Sequence, residues 1–156
     1  MEMSGERRIE APQEAVWRAL NDPEVLKAAI PGCDSLERVS DTAFAAKVTT
    51  KLGPIKATFS GQVSLSDIVP PRGYRIAGEG QGGVAGFARG GATVALAPDG
   101  DATILRYSVD AAVGGKIAQL GARLIDTTAR KLADQFFARF AAIVSGPDAG
   151  APRQVA

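Results

Sequence analysis

Reactive chemistry is carried by few residue types, and the most versatile of them is missing here: the sequence contains no histidine. That removes the commonest general base, proton shuttle and neutral metal ligand together. The single cysteine, Cys33, cannot build a thiolate metal site, and no imidazole exists to activate it as a nucleophile. It follows a helix-ending Pro31-Gly32 and reads as structural, although an exposed thiolate of lowered pKa could still bond a ligand or partner. No catalytic group, metal or cofactor is expected.

Gly78-Glu79-Gly80-Gln81-Gly82-Gly83 matches G-x-G-x-x-G letter for letter. A dinucleotide site needs a helix after the last glycine, its N-terminus holding the pyrophosphate. A strand pattern follows instead, so the nucleotide reading fails. Such glycines let a strongly curved sheet bend, and they also leave volume among inward aromatic side chains. The two readings are compatible. Glu79, Arg89 and Asp110 are the ionisable candidates nearby. Asp110 falls on the polar side of its strand. Arg89 shares the parity of Phe87 and would face inward if the Gly90-Gly91 break follows it, to pair with Glu79 or hold a polar head group. Tyr107 either offers a hydroxyl to a carbonyl-bearing ligand or is a satisfied buried tyrosine.

The bulk properties narrow the field. A chain of 156 residues predicts one domain with a sizeable core. Eighteen Lys and Arg stand against 17 Asp and Glu, a net of +1 that supplies no basic field for nucleic acid. One cysteine rules out an internal disulfide and fits a reducing compartment. The N-terminus lacks a signal-peptide core, and no apolar run could span a bilayer. The expected location is the cytoplasm.

The elements that would position these residues follow from periodicity. Glu2 to Ile9 is a strand candidate; Pro12 opens a helix with Val16, Trp17 and Leu20 on its apolar side. Asp22-Pro23 caps a second short helix bearing Val25, Leu26 and Ile30. From Ser35 the period becomes two. Leu36–Val39, Phe44–Leu52, Ile55–Ser66, Tyr74–Glu79, Phe87–Ala97 (interrupted at Gly90-Gly91) and Ala102–Val113 read as strands separated by turn residues. Phe59, Val63, Leu105 and Val109 should be buried against a helix, with Lys56, Ser60 and Arg106 exposed. That helix is predicted from Gly115 to Val144, with Ile117, Leu120, Gly121, Leu124 and Thr128 on one face and Leu132, Phe136, Phe140 and Ile143 continuing the stripe. Residues 145–156 are small, polar and Pro/Gly-rich, and are expected to be disordered. The fold class is thus α+β: a strand, two short helices, six more strands as an antiparallel meander, and a long helix over its dry face.

Several motifs together resemble the carbon monoxide dehydrogenase G-subunit family of the START-like, helix-grip (SRPBCC) superfamily. They are Ala11-Pro12 with Val16-Trp17, Leu20-Asn21-Asp22-Pro23 with Leu26, Ile30-Pro31-Gly32-Cys33, and Gly53-Pro54-Ile55-Lys56-Ala57 with Phe59 and Gly61. Gly114 to Gly121 and Ala133-Asp134-Gln135-Phe136-Phe137 complete the set. The resemblance, running from the first residues to about Val144, implies a seven-stranded curved sheet gripping the long helix. It also implies association with a molybdenum-type dehydrogenase. Many members carry a longer C-terminal extension linked to the membrane; this sequence ends at Ala156, so at most peripheral contact, or contact at the inner face through a partner, is expected.

The leading expectation is a binding or carrier protein for an apolar small molecule, a quinone or isoprenoid, accessory to assembly or electron transfer of that dehydrogenase. The ligand is expected between sheet and helix, against Phe44, Val48, Phe59, Gly61, Val63 and Phe87 from the strands before the last. Leu105, Tyr107 and Val109 would add to it from the last strand, and Ile117, Leu120, Gly121 and Leu124 from the helix. Gly61 and Gly121 are read as openings in the packing, with Tyr107, Thr128 and Arg89 as polar anchors. The alternatives are a maturation or recruitment factor acting by protein contact, or a cyclase- or hydrolase-like enzyme of the superfamily using Asp, Glu or Tyr as its acid.

Overall fold

The computed structural model describes residues 1–145; the tail from 146 to 156, expected to be disordered, lies outside them. The chain opens with β1 (Glu2–Ile9), α1 (Gln13–Leu20) and α2 (Pro23–Ala29). Then come β2 (Cys33–Ser40), β3 (Ala43–Leu52), β4 (Ile55–Val69), β5 (Gly73–Gln81), β6 (Phe87–Asp99) and β7 (Ala102–Gly114). It closes with α3 (Ala122–Val144). All seven strands form one antiparallel sheet in the order β1-β7-β6-β5-β4-β3-β2. This is the helix-grip arrangement.

Local sequence explains the joints. In α1, Val16 and Leu20 stand one turn apart and are both buried. Asp22 caps α2 by accepting a 3.0 Å bond from the Glu24 N–H, and Pro23 occupies a position whose N–H would have had no partner. The β3–β4 hairpin closes in two residues, with Leu52 opposite Ile55 and Gly53 at φ +57°. Along β4 the odd residues face in, while Lys56 and Ser60 are exposed, as is Arg106 on β7. The core gathers where α1, β1, β7 and the end of α3 meet: Ile9, Val16, Leu20, Leu105 and Phe140 are at most 5% exposed. Thr103 is buried among them because its hydroxyl donates to the Ala11 carbonyl at 2.7 Å.

Three expectations need correcting. The long helix does not begin at Gly115: residues Gly115–Leu120 form a 3-10 turn, and Gly121, at φ +93° and ψ 152°, breaks it from α3. A helical repeat of apolar residues cannot register such a break, since glycine is tolerated inside helical patterns. The helix proper has 23 residues, roughly 35 Å. At its end Val144, not Ile143, turns inward, and Ile143 is 40% exposed. Finally, β6 runs without interruption through Gly90-Gly91. Those glycines serve close backbone approach: a Cβ on Gly90 would lie 2.2 Å from the Asp110 carbonyl oxygen.

Candidate functional site

A sheet and helix packed flat would leave no room between them. Room arises because small residues cross the concave face diagonally, pair by pair: Ala46 opposite Gly61, Gly61 opposite Gly80, Gly78 opposite Gly90, Gly90 opposite Ala111. A Cβ on Gly61 would sit 2.0 Å from the Glu79 carbonyl oxygen. The glycines therefore let neighbouring backbones close on one another, and the sheet curls away from α3. Gly61 contributes curvature rather than a gap of its own.

Between the sheet, the two short helices and α3 lies a cavity of about 420 Å³, within the range of roughly 300–1,000 Å³ typical of small-molecule sites. The sheet supplies Phe44, Val48, Val63, Leu105 and Val109; α1 and α2 supply Leu20 and Leu26; α3 supplies Leu132, Phe136 and Phe137. Among its lining side chains the only hydroxyls are those of Tyr74 and Tyr107. Tyr74 directs its hydroxyl to the Leu20 carbonyl at 3.4 Å, and burial raises its pKa above the ordinary tyrosine value, so it stays neutral. Tyr107 stacks on Phe137 with ring centroids 5.0 Å apart. Gly5 allows this, since a Cβ there would lie 2.6 Å from the Tyr107 oxygen. Beside them Arg7 bonds Asp134 across the β1–α3 seam and lies over the Phe137 ring at 5.2 Å. Its guanidinium pKa is raised by the bond to Asp134, then by Tyr107.

A second cavity, of about 640 Å³, lies under the first half of α3. Leu52, Phe59, Ile117, Ile125 and Ala129 line it together with Thr50, Asp126 and Thr128. Leu132 borders both cavities. The first space is nearly all hydrocarbon, and the second is amphipathic.

The expected site residues separate accordingly. Phe44, Val48, Val63, Leu105, Tyr107 and Val109 line the first cavity; Phe59, Ile117 and Thr128 line the second. Of the four residues expected to be buried against the helix, Leu105 is; Phe59, Val63 and Val109 are half-buried because they face open space. Five others lie elsewhere. Phe87 and Arg89 fall opposite in parity to the inward Ala92, Val94 and Leu96, and Arg89 is exposed, 5.8 Å from the Phe87 ring centroid. Glu79 accepts from Gln81 at 2.8 Å rather than pairing with Arg89. Leu124 packs by Gly53 at the β3–β4 turn, and Leu120 borders neither cavity. Gly121 is exposed, and a Cβ on it would meet nothing within 4 Å. It is a backbone hinge, not a hole in the packing.

Among the residues missed are Met3, Tyr74, Ile76, Leu132, Phe137 and Asp126, with the short-helix residues Leu20, Leu26 and Ile30. Strand parity is signal enough for Met3, Tyr74 and Ile76. Asp126 falls on the polar side of a helix only when that helix is started at Gly115, too early. Cys33 is half-buried, its Sγ 3.3 Å from the Ser35 carbonyl, and burial raises its thiol pKa, the reverse of activation. Among the described residues, no group of three or more Cys, Asp or Glu side chains is placed to hold a metal, and no helix is long and apolar enough to cross a membrane.

The comparisons agree with this geometry. A conserved protein from Geobacillus kaustophilus shares 29% identity and a TM-score of 0.88, over 94% of this chain and 97% of that one. A Thermus thermophilus protein shares 21%, with TM-score 0.70 over 92% and 97% of the two chains. An aromatase/cyclase from a Streptomyces species shares the fold alone, at 12% identity, TM-score 0.68 and 94% of each chain. Among curated proteins none matches. A family model matches residues 5–145, nearly the whole described chain: the protein belongs to the carbon monoxide dehydrogenase G-subunit (CoxG) family.

Proposed function

We propose that this chain is a carrier that takes an apolar small molecule, a quinone or isoprenoid, between its sheet and long helix. Its client would be a carbon monoxide dehydrogenase-type molybdenum hydroxylase, as the family description suggests. One observation carries the reading: a 420 Å³ space walled by aliphatic and aromatic side chains, with no charged side chain on its lining. Empty apolar space forfeits contacts that an efficiently packed core would make, and a ligand restores them. We read the role as binding rather than catalysis, because the chain holds no histidine and both wall hydroxyls belong to tyrosines, one already bonded to backbone. A quinone is the sharper choice, since such dehydrogenases pass electrons onward and a quinone is an apolar electron acceptor.

Trp17, the single tryptophan, packs 5.4 Å from the Tyr74 ring on the cavity wall, so its fluorescence reports occupancy. Titration with a soluble short-chain benzoquinone should quench it saturably. Val109→Phe, which adds a ring to the half-buried wall, should weaken binding by about tenfold or more. Absence of saturable binding, together with no co-purifying lipid in native mass spectra of protein from its own cells, overturns the reading.

A further inference from the structure

The two cavities differ in polarity and meet at one side chain. We propose that a single ligand occupies both, with a neutral hydroxyl- or carbonyl-bearing head in the second and its apolar chain passing Leu132 into the first. In this arrangement Leu132 sets the chain length accepted. The inference rests on the apolar-ligand reading above and adds orientation, head-group class and a specificity residue.

Thr128, Leu132 and Phe136 stand at i, i+4 and i+8, hence on one face of α3, spanning roughly 12 Å of helix. Read along that face they run polar, constriction, aromatic. Thr128 lines the second cavity, Leu132 both, and Phe136 the first. Polar partners for a head group gather only at the first of these positions. Thr50 and Thr128 can donate to a carbonyl, and the half-buried Asp126 can accept from a hydroxyl. In the first cavity Tyr74 already serves the Leu20 carbonyl, the Tyr107 hydroxyl lies over Gly5 beside Arg7, and the remaining wall suits hydrocarbon. Asp126 also says what the head is not. A carboxylate or phosphate there would face a like charge in a partly desolvated site, so free fatty acids are excluded.

The test compares hexanol, dodecanol and dodecanoate on the whole chain, read by isothermal titration calorimetry, which needs no reporter near either cavity. Each methylene newly buried should strengthen binding about fourfold, so dodecanol outbinds hexanol in the wild type. Leu132→Trp should weaken dodecanol by about tenfold or more while leaving hexanol within about twofold. Dodecanoate should bind at least about tenfold more weakly than dodecanol, and Asp126→Asn should narrow that gap. Should the tryptophan variant fail to fold, Leu132→Ala serves instead: widening the neck should speed dodecanol association about threefold or more and leave hexanol unchanged. If Leu132 substitutions affect both alcohols equally, or neither, the chain does not pass that residue. A carboxylate gap untouched by Asp126→Asn puts the head elsewhere. If no alcohol or quinone binds the wild type at all, the apolar-ligand reading falls and this inference with it.

Discussion

The two halves of α3 rest on the same sheet in opposite ways. Its last turns carry Phe140 and Val144 into contact with β1 and the two short helices, at 0% and 7% exposure. Its first turns carry Ile125, Thr128 and Ala129 over the second cavity, all half-buried. The difference lies less in the helix than in what faces it. At the packed end the sheet offers Ile9, Leu96 and Leu105; at the open end it offers Thr50, Phe59, Ala88 and Ala111 across a void. Close packing at one end holds the fold, and that lets the other end stay open.

Substitutions at the two ends should therefore cost very different amounts. Phe140→Ala removes a fully buried ring stacked 5.6 Å from Phe136 and should destabilise by about 3–5 kcal/mol. Ile125→Ala, whose side chain already faces a void, should cost about 1 kcal/mol or less. Urea denaturation of the two variants measures the contrast. Equal losses would mean the open end is as tightly packed as the closed one.

A second contrast concerns glycines at positive φ. Gly86 has φ +113°, and a Cβ there would lie 2.0 Å from the Gly114 carbonyl oxygen. Gly86→Ala should cost about 2–3 kcal/mol, from clash and strain together. Gly121→Ala meets no atom within 4 Å and should cost only the strain of its glycine-favouring backbone (φ +93°, ψ 152°), about 1–2 kcal/mol. Thermal melts rank the pair, and a larger loss at Gly121 would mean that the hinge is tightly enclosed.

How much of this was legible depends on which physical effect wrote the pattern. Burial on one face of a strand writes a period of two, so β3, β4 and β7 were readable nearly to their ends, and the motifs that resemble the family placed them in a helix-grip fold. Backbone geometry leaves a fainter trace. Gly121 as a helix break and Gly61 as a close approach look identical in sequence to glycines that open space. Whether Gly90-Gly91 interrupts β6 depends on where the β7 backbone runs, which local sequence does not contain, and the parity of Arg89 and Phe87 went wrong with it. The cavity wall could be read where it shares the period of the core, as at Val63 and Val109. It could not be read where the turn into α3 set the phase, as at Asp126.

Buried polar groups at the packed end give intermediate effects. Thr103→Val deletes the hydroxyl that satisfies the Ala11 carbonyl and should cost about 1–3 kcal/mol, again by urea denaturation. Tyr74, where the short helices roof the first cavity, adds a pH dependence. Burial raises its pKa in the folded state above the unfolded value of about 10. Its stabilising contribution is thus complete below about pH 10 and is lost as pH rises beyond that, when the unfolded tyrosine ionises and the folded one does not. Urea midpoints should fall between about pH 9 and pH 11 in the wild type, and Tyr74→Phe should flatten the fall. An unchanged slope would show that the hydroxyl reaches water.

The smallest effect is expected at the seam between β1 and α3, beside the first cavity. Arg7 and Asp134 bond there with side chains 33% and 65% exposed, and solvent screening holds such a pair to about 0–1 kcal/mol. Asp134→Ala should therefore shift the melt little, and less still in high salt. Arg7→Ala should cost more than its partner, because the stem and guanidinium also cover Phe137 beside Tyr107. A double-mutant cycle at low and high salt separates the two contributions: the coupling term should shrink with salt, and the excess loss at Arg7 should persist. A coupling above about 2 kcal/mol would make the seam a rigid clasp rather than a weak latch. Ligand would then have to enter past α1 and α2 or under the first half of α3.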